Sequence, residues 1–313
     1  MEKRTLGRTG LRVSIAGLGT GGPAQLGQKA GLAPEASARI VRVALDLGIN
    51  VFDSSPSYGD SERLLGAGLK GVPRDHYVVA TKFQPHAEGG IKEDPQSLMD
   101  QLEESLTRLG VEAIDVLQYH GVKFDEYREV IERFHPVALK AQEQGKVRFL
   151  GITETVADDP EHRMLEVALA EGIHDTCMVH YGILNQGAQG RVFALAREHN
   201  VGVFCMAPVR TSLRTAAEAT ERIESFVQQR WVDAPAPTID DPLGLGAIGH
   251  ATEDTTRVGY LFAAAAPEVS TVLMGTGNVD HLRANVRDLT GAPLSAEELS
   301  FLRRRFGGLA WDH

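Results

Sequence analysis

The chain has 313 residues, of which 42% are hydrophobic and 24% charged, and its formal net charge is −10. This composition is typical of a globular protein with one large core or two modest ones. The acidic balance argues against nucleic acid as a partner, because phosphate binding needs a basic face. No apolar run approaches the roughly 20 residues that span a bilayer, so no membrane anchor is predicted.

The two cysteines, Cys177 and Cys205, lie in apolar runs and indicate core residues rather than a disulfide framework. The N-terminal residues lack the apolar stretch of a secretory signal. We therefore expect a cytoplasmic protein in a reducing environment.

Apolar runs of the strand type alternate with segments of helical periodicity along the whole chain. The predicted strands are Ser14–Gly17, Ile49–Phe52, Tyr77–Thr81, Ile114–Tyr119, Val147–Gly151, Thr176–Val179, Val201–Cys205 and Val269–Leu273. The predicted helices are Pro34–Leu47, Pro95–Leu109, Glu126–Gln144, Glu161–Glu171, Gln189–His199, Thr252–Ala265 and Asp280–Leu289. Eight strand–helix units without a break in composition predict one domain over residues 1–313, an α/β fold of the (β/α)8 TIM-barrel type.

Two segments fall outside this repeat. Thr5–Val13 contains a turn and predicts an N-terminal β-hairpin that plugs the N-terminal end of the barrel. Thr211–His250 is too long for an ordinary connection and predicts a long loop after strand 7. This loop is a candidate lid over the site, with a plain surface excursion as the alternative.

A glycine-rich stretch over residues 17–22 follows the first strand and fits the pattern G-x-G-x-x-G. The dinucleotide fingerprint of that form needs a helix to begin at once, so that its N-terminal amides meet the pyrophosphate. Here the first helix is predicted only near Pro34, and Arg39 and Arg42 occupy the region where an acidic residue is expected. The glycines are interpreted as a loop whose backbone approaches a ligand, or as a structural turn.

Four polar residues lie just after predicted strands. Asp53 and Tyr58 follow the second strand, Lys82 the third and His120 the fourth. Each alone can be explained as a turn, a solvated strand end or a buried packing residue. Because the carboxyl ends of parallel barrel strands meet on one face, we expect the four side chains to converge there.

The four groups suit proton transfer to a carbonyl oxygen. A nearby ammonium favours a phenolate, a carboxylate can balance a buried lysine, and an imidazole can orient a substrate oxygen. Since no side chain donates hydride, reduction of the carbonyl carbon requires a nicotinamide.

The sequence resembles the aldo-keto reductase family over nearly its full length. The resemblance lies in residues 6–14 with Gly17-Leu18-Gly19-Thr20, residues 48–59 with Asp53 and Tyr58, Ser61-Glu62, Leu65-Gly66, Thr81-Lys82, Tyr119-His120 and residues 275–278 with Leu282 and Asn285. It implies that Tyr58 is the general acid/base, tuned by Lys82 with Asp53, and that His120 orients the carbonyl. It also implies NADP(H) bound across the C-terminal mouth of the barrel.

Candidate cofactor residues are named by the same resemblance. They are Gly19, Thr20, Gly21, Thr153, Glu154, Met178, Met206, Ala207, Val209, Arg210, Gly275, Thr276, Gly277, Asn278, His281 and Asn285. Several depart from the family pattern. Thr153-Glu154 replaces the usual Ser-Asn, Met178 a glutamine, and Met206 the ring that stacks on the nicotinamide. Methionine can still pack on a planar ring, and Glu154 can accept a hydrogen bond from the carboxamide amine.

The basic positions that usually hold the 2′-phosphate carry Gly277 and His281 in this chain. Arg210 can serve the phosphate instead or be an ordinary surface arginine. Asn285 is expected to reach the adenine. NADP(H) is favoured over NAD(H), which stays possible.

Substrate contacts are predicted for Phe83, His180 and Trp231, with Gln84 also considered and plain packing as the alternative. Trp311 is expected to fold over the mouth or to cap the barrel. No metal site is predicted, because no cluster of His, Cys, Asp or Glu has ligand spacing.

The leading function is the interconversion of an aldehyde or ketone and an alcohol, with a small-molecule substrate. Two alternatives stay open at this point. One is a lyase or aldolase that uses the Lys82 amine in a Schiff base. The other is a non-catalytic subunit that senses nicotinamide nucleotides. Substrate identity, reaction direction and oligomeric state are beyond the sequence.

Overall fold

The structure is a computed structural model that describes residues 1–155, 157–233 and 235–309. The strands are β1 (Lys3–Thr5), β2 (Arg12–Ser14), β3 (Ala16–Gly19), β4 (Val51–Asp53), β5 (Val78–Phe83), β6 (His86–Ala87), β7 (Gly90–Ile91), β8 (Ile114–Val122), β9 (Val147–Glu154), β10 (Thr176–His180), β11 (Gly202–Met206) and β12 (Val269–Met274). The helices are α1 (Pro34–Asp46), α2 (Ser61–Leu69), α3 (Ser97–Leu109), α4 (Tyr127–Glu143), α5 (Arg163–Ala170), α6 (Arg191–Glu198), α7 (Ala216–Gln228), α8 (Thr255–Ala264), α9 (Val279–Leu289) and α10 (Ala296–Phe306).

Eight parallel strands close into a barrel in the order β3, β4, β5, β8, β9, β10, β11, β12 and back to β3. Each barrel strand is followed by helical chain that packs outside, so the strands are buried on both faces and consist of near-continuous apolar runs. The predicted (β/α)8 architecture is confirmed. The register aligns Gly19 with Asp53, Asp53 with Ala80, and Lys82 with Gln118, which brings the carboxyl ends of neighbouring strands to one level.

The N-terminal hairpin is also confirmed, with β1 and β2 pairing antiparallel. Its Leu6 and Val13 side chains are fully buried in the same cluster as Val51, Val78 and Phe204 of the barrel strands. Burying a leucine side chain contributes about 1.5–3 kcal/mol, so this contact holds the hairpin in place. The hairpin therefore closes the N-terminal end of the barrel and leaves the opposite end for the site.

The segment over residues 211–250 is more regular than a loop. It contains α7, whose Ala219, Ile223 and Phe226 are buried, and a short 3-10 helix at Leu245–Ile248. Part of the segment that was predicted as one long loop is therefore a helix that packs on the barrel. Helix α2 was not predicted, because Gly66 and Gly68 interrupt its periodicity. Trp311 lies outside the described residues.

None of the described helices is both long and apolar enough to cross a membrane. Within the same part of the chain, no group of three or more His, Cys, Asp or Glu side chains is arranged to hold a metal ion.

Candidate active site

The four residues predicted to converge do so at the carboxyl end of the barrel. Asp53 is the last residue of β4, Lys82 lies in β5, and His120 lies in β8, the next strand around the barrel. Tyr58 lies on the turn between β4 and α2, where its backbone amide donates to the carbonyl of Ser55. Three adjacent strands and one connecting turn therefore supply the cluster.

A buried ion pair forms the base of this cluster. The Lys82 ammonium donates to Asp53 Oδ1 over 2.6 Å and to the Ser54 carbonyl over 2.7 Å. The second Asp53 oxygen accepts from Gln118 Nε2 at 3.2 Å. Only 1% of the Lys82 side chain and 5% of the Asp53 side chain are exposed, so neither can turn to water.

The ionisation of the pair follows from burial and mutual attraction. Burial raises the pKa of Asp53, although the attraction and hydrogen bond of Lys82 act against this rise. Burial also opposes the charge of Lys82, but attraction to Asp53 and Tyr58 outweighs it and the pKa of Lys82 is raised. Lys82 is therefore a firmly held ammonium rather than a free amine.

Tyr58 lies between this ammonium and the imidazole of His120. The Lys82 Nζ atom is 4.9 Å from the centroid of the Tyr58 ring, and the Tyr58 hydroxyl is 3.4 Å from His120 Nε2. The two rings meet edge to face, with centroids 5.7 Å apart. Gly21 lies against the phenol, and a Cβ placed there would come within 2.5 Å of the Tyr58 ring. The glycine-rich loop thus lies against the reactive phenol.

His120 is a neutral imidazole held at its other nitrogen. Burial, with the nearby Lys82 and His86, lowers the pKa of His120 to about 3. Its Nδ1 atom is 3.3 Å from Ser55 Oγ, which is itself 2.8 Å from Ser57 Oγ. A neutral ring has one donor and one acceptor nitrogen, so the serines influence which role Nε2 takes toward Tyr58 or a substrate.

Two members of the cluster were not predicted. Gln118 precedes His120 by two residues on β8, and the period of two along a strand would have placed it on the same face. Ser55 belongs to the turn after β4, and its contact with His120 depends on the path of that turn. No sequence pattern announces such a contact.

A second buried pair joins Glu154, the last residue of β9, to His162, the residue before α5. Glu154 Oε2 is 2.7 Å from His162 Nδ1, and Oε1 accepts from the backbone amide of His180 at 2.7 Å. His162 Nε2 lies 3.3 Å from Asn185 Oδ1. The side chains of Glu154 and His162 are fully enclosed, with 0% exposed for both. Both carboxylate oxygens of Glu154 thus have partners within the protein, and its contact with a carboxamide stays a prediction.

The electrostatics of this second pair differ from those of the first. Burial raises the pKa of Glu154, although His162 and the His180 amide act against the rise. Burial opposes the charge of His162, but hydrogen bonding and attraction to Glu154 outweigh it, so the pKa of His162 is raised. Among the described residues, neither Glu154 nor His162 bonds to a tyrosine hydroxyl.

The remaining predicted residues at strands β9 to β11 line the lumen or support it. Thr153 is buried, and its hydroxyl accepts from the Gly121 amide at 2.7 Å, which fixes the chain just after His120. Met178 is aligned with Phe204, and half-buried Met206 packs on the same inner cluster. The methionines present an apolar surface inside the barrel, across from the strands that carry the ion pair.

The loop after β11 borders a small cavity. His180, Asn185, Ala207, Val209 and Arg210 are among the residues that line it. Ala207 and Arg210 both have left-handed backbone angles, with φ of 54° and 45°. Such angles strain residues other than glycine. Burial, with Arg210 and His162, lowers the pKa of His180 to about 3, so a neutral imidazole faces this cavity.

The predicted adenosine loop leads into α9. Gly275 is exposed and Thr276 buried, and the side chain of Asn278 caps the helix by accepting from the amides of Asp280 and His281. Gly277 lies against the chain at Gly27, where a Cβ would come within 2.7 Å of the Gly27 Cα atom. His281 is exposed and Asn285 is half-buried.

Two aromatic residues that were predicted to line the substrate pocket pack against other aromatic rings instead. Phe83 is 1% exposed and its ring packs on Phe134 of α4 at 4.7 Å, so it faces the helix layer rather than the barrel mouth. Trp231 is 55% exposed and stacks on Phe226 of α7 at 5.8 Å. The packing alternative accounts for both rings, because each already has an aromatic partner away from the four polar groups.

The geometry agrees with comparisons against known proteins. Residues 17–304 match the sequence profile described as "Aldo/keto reductase family". The chain belongs to that family. It is 31% identical over 300 residues to L-galactose dehydrogenase of Arabidopsis thaliana, an alignment that covers 93% of this chain and 88% of the relative. It is 28% identical over 234 residues to NADH-specific methylglyoxal reductase of Escherichia coli, with 69% of each chain covered.

A solved member of the aldo/keto reductase family has the same fold. The holo form of an aldo-keto reductase from Bacillus halodurans superposes with a TM-score of 0.72 at 26% identity, covering 97% of this chain and 96% of that one. The family consists of oxidoreductases that use nicotinamide cofactors and act on small molecules.

Proposed function

We propose that this aldo/keto reductase interconverts an aldehyde or ketone and an alcohol with a nicotinamide dinucleotide, and that Tyr58 is its general acid/base. The observation that carries the proposal is the position of the Tyr58 hydroxyl, 3.4 Å from the neutral His120 ring and beside the Lys82 ammonium. A hydroxyl placed so can give a proton to a carbonyl oxygen or take one from an alcohol.

Each neighbour of Tyr58 has a separate task. Lys82 stabilises the negative charge that develops on the phenol oxygen as the proton leaves. Asp53 keeps Lys82 charged and fixed, since it binds the ammonium at 2.6 Å in a buried setting. His120, neutral and held at Nδ1 by Ser55, can donate from Nε2 to the carbonyl oxygen and so orient it toward Tyr58.

The nicotinamide supplies the hydride that no side chain can provide. The residues that would hold it are compatible with such a group. Met178 and Met206 give an apolar surface for a flat ring, and the cavity beside Ala207, Val209 and Arg210 offers a cationic side chain and backbone groups. Gly21 lies against the Tyr58 ring, and Gly19 and Thr20 directly precede it in the chain.

Two dinucleotides are candidates. The first is NADP(H), as predicted from the sequence, with Arg210 on the 2′-phosphate. The second is NAD(H), which a specific observation favours. At Gly277 the contact with Gly27 excludes any side chain, and the first amides of α9 already donate to Asn278. A phosphate there would find no cation at residue 277 and would compete with Asn278 for the amides of Asp280 and His281, while the Asp280 carboxylate in the first turn would repel it.

Both directions of the reaction use the same site. The same groups serve oxidation when Tyr58 acts as base. The relative L-galactose dehydrogenase is named for oxidation of a sugar, and methylglyoxal reductase for reduction of a carbonyl. The cytoplasmic location expected from the sequence stays a prediction.

The geometry opposes a Schiff-base mechanism at Lys82. An amine nucleophile must lose its proton, whereas attraction to Asp53 and Tyr58 overcomes burial and raises the pKa of Lys82. Its Nζ atom is also committed to Asp53 and the Ser54 carbonyl. The intact proton-transfer set likewise disfavours a purely sensing role.

The proposal is tested by titrating the protein with NADH and NADPH, followed by a panel of carbonyl and alcohol substrates. We expect saturable binding of one dinucleotide and substrate-dependent oxidation of its reduced form. Binding without turnover of any substrate would support the sensing subunit. Borohydride trapping of a substrate on Lys82 without nicotinamide would support the lyase.

A further inference from the structure

A row of polar side chains extends from His120 along the barrel mouth. Phe83, the last residue of β5, pairs with Tyr119 of β8, so Gln84 and His120 each come directly after a paired position on adjacent strands. Gln84 Nε2 lies 3.3 Å from His86 Nδ1, and His86 Nε2 lies 2.6 Å from Glu126 Oε2. We call Gln84, His86 and Glu126 the polar wall.

Two oxygen atoms of the polar wall take no part in its internal hydrogen bonds. Gln84 donates to His86 Nδ1, so His86 Nε2 carries the proton that it donates to Glu126. In the described parts of the chain, the side-chain oxygen of Gln84 and Oε1 of Glu126 accept no hydrogen bond. These oxygens can accept from hydroxyl groups, and the carboxylate makes such a bond stronger than a neutral pair would.

The polar wall is reachable and fixed. The side chains of His86 and Glu126 are 21% and 23% exposed, so solvent and small molecules can reach both. The Gln84 amide donates to Gln101 Oε1 at 3.0 Å, and the amide of Lys92 donates to the Pro85 carbonyl at 2.8 Å. Glu126 immediately precedes α4, so its position is set by that helix.

The polar wall lies close to the reacting groups. Gln84 is the link between them, since it bonds to His86 and directly follows the Phe83–Tyr119 pairing that precedes His120. The aromatic rings expected at this position from the sequence pack elsewhere, Phe83 on Phe134 and Trp231 on Phe226. On this side of His120, a substrate therefore meets acceptors rather than an apolar surface.

We propose that Gln84, His86 and Glu126 bind hydroxyl groups of the substrate, and that the substrate class is a hydroxyl-rich carbonyl compound or its cyclic hemiacetal. The inference rests on the proposed function, since it assumes that the reacting carbon lies at Tyr58 and His120. It adds a specificity element that the four reacting groups do not contain.

The test compares substrates that differ only in hydroxyl groups. Glyceraldehyde and propanal share a three-carbon aldehyde, and an aldopentose in its pyranose form is compared with tetrahydropyran-2-ol for the oxidation direction. The readout is the ratio of kcat/KM within each pair. We expect the wild type to prefer the hydroxylated member of each pair.

Variants at Glu126 assign the preference to the polar wall. Glu126→Ala should lower the ratio about tenfold, the loss expected for a hydrogen bond to a charged acceptor. Glu126→Gln keeps an acceptor oxygen and should retain part of the preference. Glu132→Ala, at an exposed position of the same helix, is the matched control and should leave the ratio unchanged.

The outcomes separate the two proposals. A wild-type ratio near one would overturn the proposal that the polar wall binds substrate hydroxyl groups, and so would a Glu126→Ala ratio equal to that of the wild type. In either case, nicotinamide-dependent turnover would still support the proposed function. An absence of nicotinamide-dependent turnover of every substrate overturns the proposed function and the inference that rests on it.

Discussion

Two buried carboxylate–cation pairs lie at the same end of the barrel, and they differ in what surrounds them. Asp53 binds Lys82 at 2.6 Å, and Glu154 binds His162 at 2.7 Å. The first pair places its cation against a phenol that also reaches His120. The second is enclosed by Asn185 and the His180 amide.

The difference teaches that a buried ion pair at a strand end does not by itself mark reacting groups. Both carboxylates are the last residues of barrel strands, and both have a pKa raised by burial. Only in the first pair does the cation, Lys82, lie beside a group that can exchange a proton with a substrate, the Tyr58 phenol. We therefore expect the first pair to govern turnover and the second to govern folding.

Removing the hydroxyl of Tyr58 is the sharpest test of this comparison. Tyr58→Phe should lower kcat/KM by roughly 10²–10⁴-fold, the range for loss of a general acid/base. Dinucleotide affinity should stay nearly unchanged, because the ring itself remains. Steady-state kinetics and a binding titration measure both. Tyr119→Phe is the control, since that hydroxyl contacts His135. Retained turnover in Tyr58→Phe would refute the acid role.

Breaking each ion pair compares the two regions directly. Lys82→Met leaves Asp53 buried without its cation and should cost about 3–5 kcal/mol in the free energy of unfolding. It should also reduce kcat and move the pH–rate profile to higher pH. Glu154→Gln should destabilise the fold by less, because His162 can become neutral, and should leave kcat of the folded enzyme close to that of the wild type.

Urea unfolding and steady-state kinetics on both variants give the result. Equal losses of kcat in the two variants would remove the distinction between the pairs. A kcat in Lys82→Met equal to that of the wild type would show that its ammonium does not assist Tyr58.

Two buried histidines, His120 in the first region and His180 beside the second, should contribute alike to the pH dependence of stability. Burial is the main cause that lowers the pKa of His120 and of His180 to about 3, from about 6.5 in the unfolded chain. Below pH 6.5 the unfolded chain therefore binds protons at these two sites that the folded chain does not, so their contribution to the free energy of unfolding is lost as pH drops toward 3 and is fully present above that window. The raised pKa of His162 acts in the opposite sense.

Replacing either histidine should flatten that slope. His120→Gln and His180→Gln should each remove up to about 1.4 kcal/mol per pH unit within the window. His120→Gln should cause the larger loss of kcat. His76→Gln, at an exposed site, is the control and should leave the slope unchanged. Unfolding titrations across this pH range measure the effect, and an unaltered slope in both variants would contradict the assignment of neutral imidazoles.

The smallest expected effect concerns the cofactor next to the second region. If Arg210 holds a 2′-phosphate, Arg210→Ala should weaken NADPH binding about tenfold and NADH binding much less, the loss typical of one charged hydrogen bond. Calorimetric titration with both nucleotides measures the difference. If the affinities for NADPH and NADH change equally, Arg210 does not bind the 2′-phosphate, and NAD(H) is favoured.

The barrel and the four reacting groups could be predicted from the sequence for one reason. Strands buried on both faces are continuous apolar runs, and a polar residue at the end of such a run is conspicuous. Asp53, Lys82 and His120 are of this kind. Their convergence then follows from the closed parallel topology.

The contacts that were missed depend on the paths of turns and loops. His162 meets Glu154 from a turn eight residues later along the chain, and Ser55 meets His120 across two connections. Glu126 reaches His86 from the start of another helix. No local pattern encodes such a meeting, because the paths of the intervening segments fix it. The two misplaced aromatic rings have the same origin, since a strand-end position does not tell toward which layer a ring turns.

Because the barrel sheet is closed and has no edge strand, it holds the groups on its strands at fixed distances from one another. Every strand that bears one is bonded on both sides, so the spacing among carboxylate, ammonium and imidazole can widen only if a ladder in the ring is broken. Heating should accordingly abolish catalysis and the native circular-dichroism signal together, rather than silence the enzyme while its scaffold survives.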